Sequence, residues 1–117
     1  MSYRWSLSSA ADDGVLRQTA WYLTEIPDGG ADLARRWNSL LQTALEKLAV
    51  APTRFGFAPE NGQWLPELQI RQMLFRPWKS GAGWRVLYTI DERKKLVTVL
   101  QIRHEHRLRM FEAEDEE

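Results

Sequence analysis

Two histidines, His104 and His106, stand near the end of the chain among a high density of cations. Residues 71–109 carry ten Lys or Arg against three Asp or Glu. An imidazole titrates near neutral pH, so it can donate or accept a proton where few other side chains can. Arginine stabilises negative charge through a planar fork of N–H groups that matches a phosphate or a carboxylate. These residue types suit acid–base work beside an anion, or recognition of an anion without chemistry. The bland alternative for both histidines is a hydrogen-bonded surface position. Other chemistries drop out. The chain has no Cys, which removes thiolate catalysis, disulfides and Cys-ligated zinc, and suits a reducing cytoplasm. Two histidines at this spacing without a carboxylate pair nearby are a poor metal site, so neither metal nor cofactor is expected.

The formal net charge of zero hides segregation. Residues 112–117 hold five acids and no base, so residues 1–111 carry 16 Lys or Arg against 11 Asp or Glu, a net of +5. A basic body with an acidic end suits a polyanion or an acidic partner, and equally a solvated surface with a flexible tail. The expected division is one domain over residues 1–111 and an acidic tail over 112–117. At 117 residues and 44% hydrophobic composition the chain can bury a single core. No apolar run approaches the roughly 18 residues of a membrane span, and the N-terminal stretch lacks the apolar segment of a secretory signal. Six Trp is high for this length; such side chains can fill a core or serve a binding surface.

The elements that would position these residues are legible from periodicity. Tyr3, Trp5 and Leu7 alternate with polar residues, predicting a short first strand. Ser8 or Ser9 can cap a helix with Asp12 and Asp13 in its first turn, running to about Glu25. Ile26-Pro27-Asp28-Gly29-Gly30 breaks it. Leu33, Trp37, Leu40, Leu41, Ala44, Leu45 and Leu48 then form one apolar stripe of helical period, stopped by Pro52. Residues 52–67 read as a loop of unusual length, which often signals function. Three strands follow, Leu68 to Phe75, Trp84 to Asp91 and Leu96 to Arg103, joined by short connections that suit antiparallel hairpins. The predicted class is α+β in the order β-α-α-β-β-β. A helical hairpin covers one face of a four-stranded, mainly antiparallel sheet whose first strand joins the meander edge.

This order, with three motifs, resembles the RelE/ParE toxin superfamily. The motifs are Leu68-Gln69-Ile70-Arg71, then Gly83-Trp84-Arg85-Val86-Leu87-Tyr88-Thr89-Ile90-Asp91, then Val97-Thr98-Val99-Leu100-Gln101-Ile102-Arg103-His104. The likeness runs from Tyr3 to about Arg107. It implies a small cytoplasmic toxin of a bacterial type II toxin–antitoxin pair, silenced by a cognate antitoxin and meeting operator DNA only through that antitoxin. RelE-like members cut mRNA in the ribosomal A site; ParE-like members inhibit DNA gyrase without cutting RNA. Ribosome-dependent mRNA cleavage is the favoured expectation, gyrase inhibition the alternative, and an inactive member the third possibility.

Metal-free RNA cleavage needs a base for the 2′-hydroxyl, cations for the phosphate and an acid for the leaving oxygen. The resemblance nominates His104 and His106 as acid or base, and Arg71, Arg85 and Arg107 as catalytic cations. For Arg71 and Arg85 alike the alternative is a sheet-edge salt bridge with Glu67 or Asp91, or a solvated face; Arg85 recurs in both branches, which favours a structural role for it. Arg103, Lys79, Lys94 and Lys95 are candidates for RNA phosphates and Trp78 for an exposed stacking contact, while Trp84 is expected in the core. The chain departs from RelE where that protein has a catalytic Arg and a Tyr: Glu105 and Phe111 stand there. The paired Lys before strand 2 are also missing, replaced by Trp64-Leu65-Pro66-Glu67.

Overall fold

The computed structural model describes residues 2–107 and 110. The acidic segment 112–117, with Phe111, lies outside them. Helix α1 spans Ser9–Glu25 and begins where a cap was expected. Ser8 is extended, and its hydroxyl accepts the Ala11 N–H at 3.1 Å while donating to the Leu100 carbonyl at 2.9 Å. The same side chain therefore starts the helix and pins it to a strand. Helix α2 spans Gly30–Val50. The break between them depends on two glycines. Gly29 has φ +95°, a left-handed conformation that side chains resist, and a Cβ on Gly30 would lie 2.0 Å from the Tyr22 carbonyl oxygen. The predicted stripe faces inward: Trp37, Leu41, Leu45 and Leu48 are buried. Pro52 opens a short 3-10 turn, Pro52–Arg54.

The strands are β1 (Arg4–Leu7), β2 (Arg71–Phe75), β3 (Trp84–Asp91) and β4 (Leu96–His104). They lie in the order β1-β4-β3-β2, with β1 parallel to β4 and the other pairs antiparallel. The α+β architecture and the edge place of β1 are those expected. Strand β2 is shorter than predicted. Leu68 to Ile70 belong to the preceding loop, where the Ile70 N–H goes to the Asn61 side chain at 2.8 Å and its carbonyl to Ala58 N at 2.9 Å. Those local bonds satisfy the backbone that pairing with β3 would otherwise use.

The sheet is covered on both faces at its centre, along β3. One face meets the helices through Val86, Tyr88, Val97, Val99 and Ile102, packed on Trp37 and Leu45. The other carries Leu87, with Ala58 and Ile70 laid over it and Trp64, Leu65 and Leu68 at its edge. Hence five consecutive residues of β3, Trp84 to Tyr88, are buried, where a one-sided sheet would alternate. The long loop 52–67 closes this second face. An irregularity in the β3–β4 ladder at Leu87/Tyr88 leaves Leu100 unmatched, so β4 residues past it change phase and Ile102 and His104 share the helix-side face with Val97 and Val99.

Candidate functional site

The structure distributes the nominated cations over three places. Arg85 points to the loop-covered face, where it is buried. Its Nη1 donates to Glu60 Oε2 at 2.9 Å, its Nη2 to the other carboxylate oxygen, and its Nε to Gln72 at 2.8 Å. The partner is Glu60, from the long loop, and not Glu67 or Asp91. Glu60 is fully buried and also accepts the Met110 N–H at 3.2 Å. Burial by itself raises its pKa, but the Arg85 hydrogen bond and charge and the Met110 N–H outweigh it and hold the carboxyl below its ordinary value. Arg103 pairs in register with Arg85, is buried on the same face and lies against the Met110 sulfur.

Arg71 is engaged differently. Its guanidinium donates to the carbonyls of Thr53, at 3.2 Å, and Phe55, and stacks 4.3 Å from the Phe57 ring centre. It staples the loop to β2. Tyr88 does the same from β3: its buried hydroxyl donates to the Pro52 carbonyl at 2.6 Å, and burial pushes its pKa up to about 12. Lys94 and Lys95 sit in the β3–β4 turn. Trp84 pairs with His104 and Asp91 with Leu96, so the length of β3, about 23 Å, separates that turn from the histidines. Lys95 pairs there with Glu92 at 3.2 Å and lies over the Tyr3 ring.

His104, His106, Arg107, Trp78 and Lys79 gather at the other end. The His104 ring meets the edge of Trp84 at 5.5 Å and lies 5.3 Å from His106. Its Nδ1 accepts the His106 N–H at 3.3 Å, so Nε2 carries the proton when the ring is neutral. Glu105 turns the other way. Its carboxylate accepts the Gly83 N–H and pairs with Arg76 at 3.1 Å, and these contacts lower its pKa. It ties the end of β4 to the β2–β3 connection.

Helix α1 supplies the facing wall. A Cβ on Gly14 would lie 2.9 Å from the Ile102 carbonyl oxygen. Helix and strand therefore meet backbone to backbone, and this close approach sets Arg17, Gln18 and Trp21 beside His104. Two adjoining hollows result. One, of about 320 Å³, is bounded by Gly14, Arg17, Ile102 and Arg107. The other, of about 470 Å³, is bounded by Tyr22, Trp78, Ser80, Gly81 and Ala82. Gln18, Trp21, Trp84 and His104 line both. Sequence reasoning missed the α1 contribution. A signal was present: Arg17 and Trp21 stand four apart, off the stripe of Ala11, Val15 and Tyr22 that turns inward. Trp78, expected to be the exposed aromatic, is half-buried. Its Nε1 donates to the Tyr22 hydroxyl at 3.1 Å and Arg36 lies over its ring. Trp21, 51% exposed, is the open one. Trp84 is in the core, as expected.

Among the described residues no three His, Asp or Glu side chains converge as metal ligands, and no helix is long and apolar enough to cross a membrane. What this cleft offers is the His104 imidazole, cations on one side and aromatic surface on the other.

Residues 15–109 match the family model of the ParE toxin of type II toxin–antitoxin systems, parDE. The chain belongs to this family. Among solved structures it is similar to the toxin–antitoxin complex RelBE2 from Mycobacterium tuberculosis, with a TM-score of 0.50 and 18% identity over 89% of this chain and 99% of that one. An archaeal RelE–RelB complex from Pyrococcus horikoshii OT3 aligns with a TM-score of 0.45 and 14% identity over 92% and 100%. No curated protein matches the chain in sequence. At these identities the structural likeness is one of fold; the type II toxin class rests on the family match.

Proposed function

We propose that this toxin arrests growth as ParE-like members do, by binding DNA gyrase, with no bond-breaking chemistry of its own. One observation carries the reading: the two strand arginines nominated for RNA cleavage do not converge with the histidines. Arg85 is spent on Glu60 and Gln72, and Arg71 on loop carbonyls. Glu105, which replaces the RelE arginine, holds the Gly83 N–H. The fold is indifferent between the two activities, because function resides in the site. The cleavage reading keeps one support, since His104 and Arg107 share a hollow with Arg17. A cognate antitoxin completes the reading. Its segment lies across the helical hairpin, where Leu16, Leu23 and Leu40 are exposed, and beside β2, where Leu40 and Leu74 flank a hollow of about 290 Å³. It pairs its acids with the basic body and carries any operator contact.

The test is induction of the toxin alone and with the adjacent reading frame. Growth should stop in the first case and resume in the second; normal growth with abundant soluble toxin would sink the toxin reading. Gyrase inhibition predicts lost supercoiling and DNA-damage signalling with intact mRNA, and His104→Ala should remain toxic. Cleavage instead predicts cuts inside ribosome-bound codons and a loss of roughly 10²-fold or more in rate for His104→Ala, the scale of a missing general acid or base.

A further inference from the structure

The double hollow between α1 and the end of β4 is not used by the gyrase reading, and its chemistry is specific. Its larger half has aromatic walls. Trp21 and Tyr22 meet edge to face at 5.5 Å, and Tyr22 and Trp78 do so at 6.3 Å. Trp21 leaves half of its surface open. Such a wall accepts a flat ring, whose stacking on indole exceeds what buried area alone would yield. The hollow is not simply greasy. Gln18, Ser80 and His104 line it, and among the described residues the side chains of Gln18 and Ser80 have no hydrogen-bond partner. Polar groups around an aromatic wall read the edge of a ring that carries its own donors and acceptors; an apolar protein anchor would leave them unsatisfied. The smaller half, sharing Gln18, Trp21, Trp84 and His104, is bounded by Arg17 and Arg107. Arg17 precedes Trp21 by four residues, so the two side chains leave neighbouring turns of one helix face, their Cβ atoms about 6 Å apart, and both line this half. An anion on Arg17 and a ring on Trp21 are then within one small molecule's reach of each other.

We propose that this cleft binds a nucleoside phosphate, the base against Trp21 in the larger hollow and the phosphate against Arg17 in the smaller. Arginine suits the phosphate by its fork, and stacking on tryptophan is tolerant of which base is present. His104 stands between the halves, where Nε2–H donates to the ligand. The proposal stands apart from the target of the toxin: a nucleotide site is compatible with gyrase binding and needs no RNA cleavage.

Anisotropy of a fluorescently labelled ADP with the purified toxin tests it. Trp21→Ala should weaken binding by roughly 5- to 100-fold, the range for loss of one stacked base, and Trp21→Phe should restore most of it. Arg17→Gln should weaken binding and flatten its salt dependence, whereas Lys94→Gln at the far end of β3 should change nothing. Unlabelled AMP and a six-residue adenylate RNA serve as competitors. Equal displacement identifies a free nucleotide as the ligand, and displacement by RNA at far lower concentration identifies a nucleotide within a strand. Unchanged binding in Trp21→Ala, or equal losses in Arg17→Gln and Lys94→Gln, would overturn the site in favour of unspecific charge. A cleft that ignores all three nucleotides yet binds an acidic, aromatic peptide would assign it to protein and overturn it too.

Discussion

Two regions of this toxin hold arginine beside sheet residues, and they treat it in opposite ways. Under the long loop, Arg85 is enclosed, its fork filled by Glu60 and its Nε by Gln72. At the open end, Arg17 reaches over a hollow with His104 and Trp21. The residue type is the same and the consequence differs. A buried guanidinium must have its charge and its donors satisfied inside the protein, because water is absent, so its geometry is committed to the fold. A guanidinium at a cleft rim is solvated, costs the fold little and remains available. Arginine in a family motif is therefore no evidence of catalysis until its surroundings are known.

Breaking the closed region should have the largest effect. Glu60→Ala leaves a buried, unpaired Arg85 and should cost about 3–5 kcal/mol of stability by denaturant unfolding. The double change Glu60→Leu with Arg85→Met should recover most of that loss; if it does not, the pair matters for more than its own charge. The same group sets a pH dependence. Folding holds the Glu60 carboxyl below its ordinary value of 4.5, so its stabilising contribution is complete above that value and is lost as pH falls through the lower folded value. Stability followed from pH 7 to pH 3 should decline below about 4.5, and Glu60→Gln should flatten that part of the curve.

The contact that creates the open region comes next. Gly14→Val puts side-chain atoms where the Ile102 carbonyl stands and should cost roughly 1–3 kcal/mol, the usual penalty for overpacking. Nucleotide binding should fall with it, because α1 no longer approaches β4. A smaller effect is expected at the start of that helix. Ser8→Ala removes the cap on Ala11 and the bond to Leu100, a loss of about 1 kcal/mol in thermal or denaturant unfolding. The smallest stability effect belongs to the open region itself. Trp21→Ala should stay within about 0.5 kcal/mol of the parent, as for most surface changes. A large loss there would mean that Trp21 holds the helix in place, and would erase the contrast between the two regions.

What the amino-acid order determined by itself was the local and the periodic. The α2 stripe, a serine cap at Ser8 or Ser9, the Pro27 to Gly30 break and the three-strand meander all follow from interactions within a few residues, or from which positions can face one core. The family motifs were equally legible, because they are strings of adjacent residues. Only the tertiary structure decided which charge meets which. Glu60 lies 25 positions from Arg85, in a loop without periodicity, and no spacing rule could have chosen it over Glu67 or Asp91. Trp21 and His104 belong to elements at opposite ends of the chain, joined where Gly14 admits a strand carbonyl. The phase change at Leu100 decides which face the end of β4 presents. Pattern fixes the face of an element, since that needs one period; a site needs two elements at a set distance, and that distance is a property of packing.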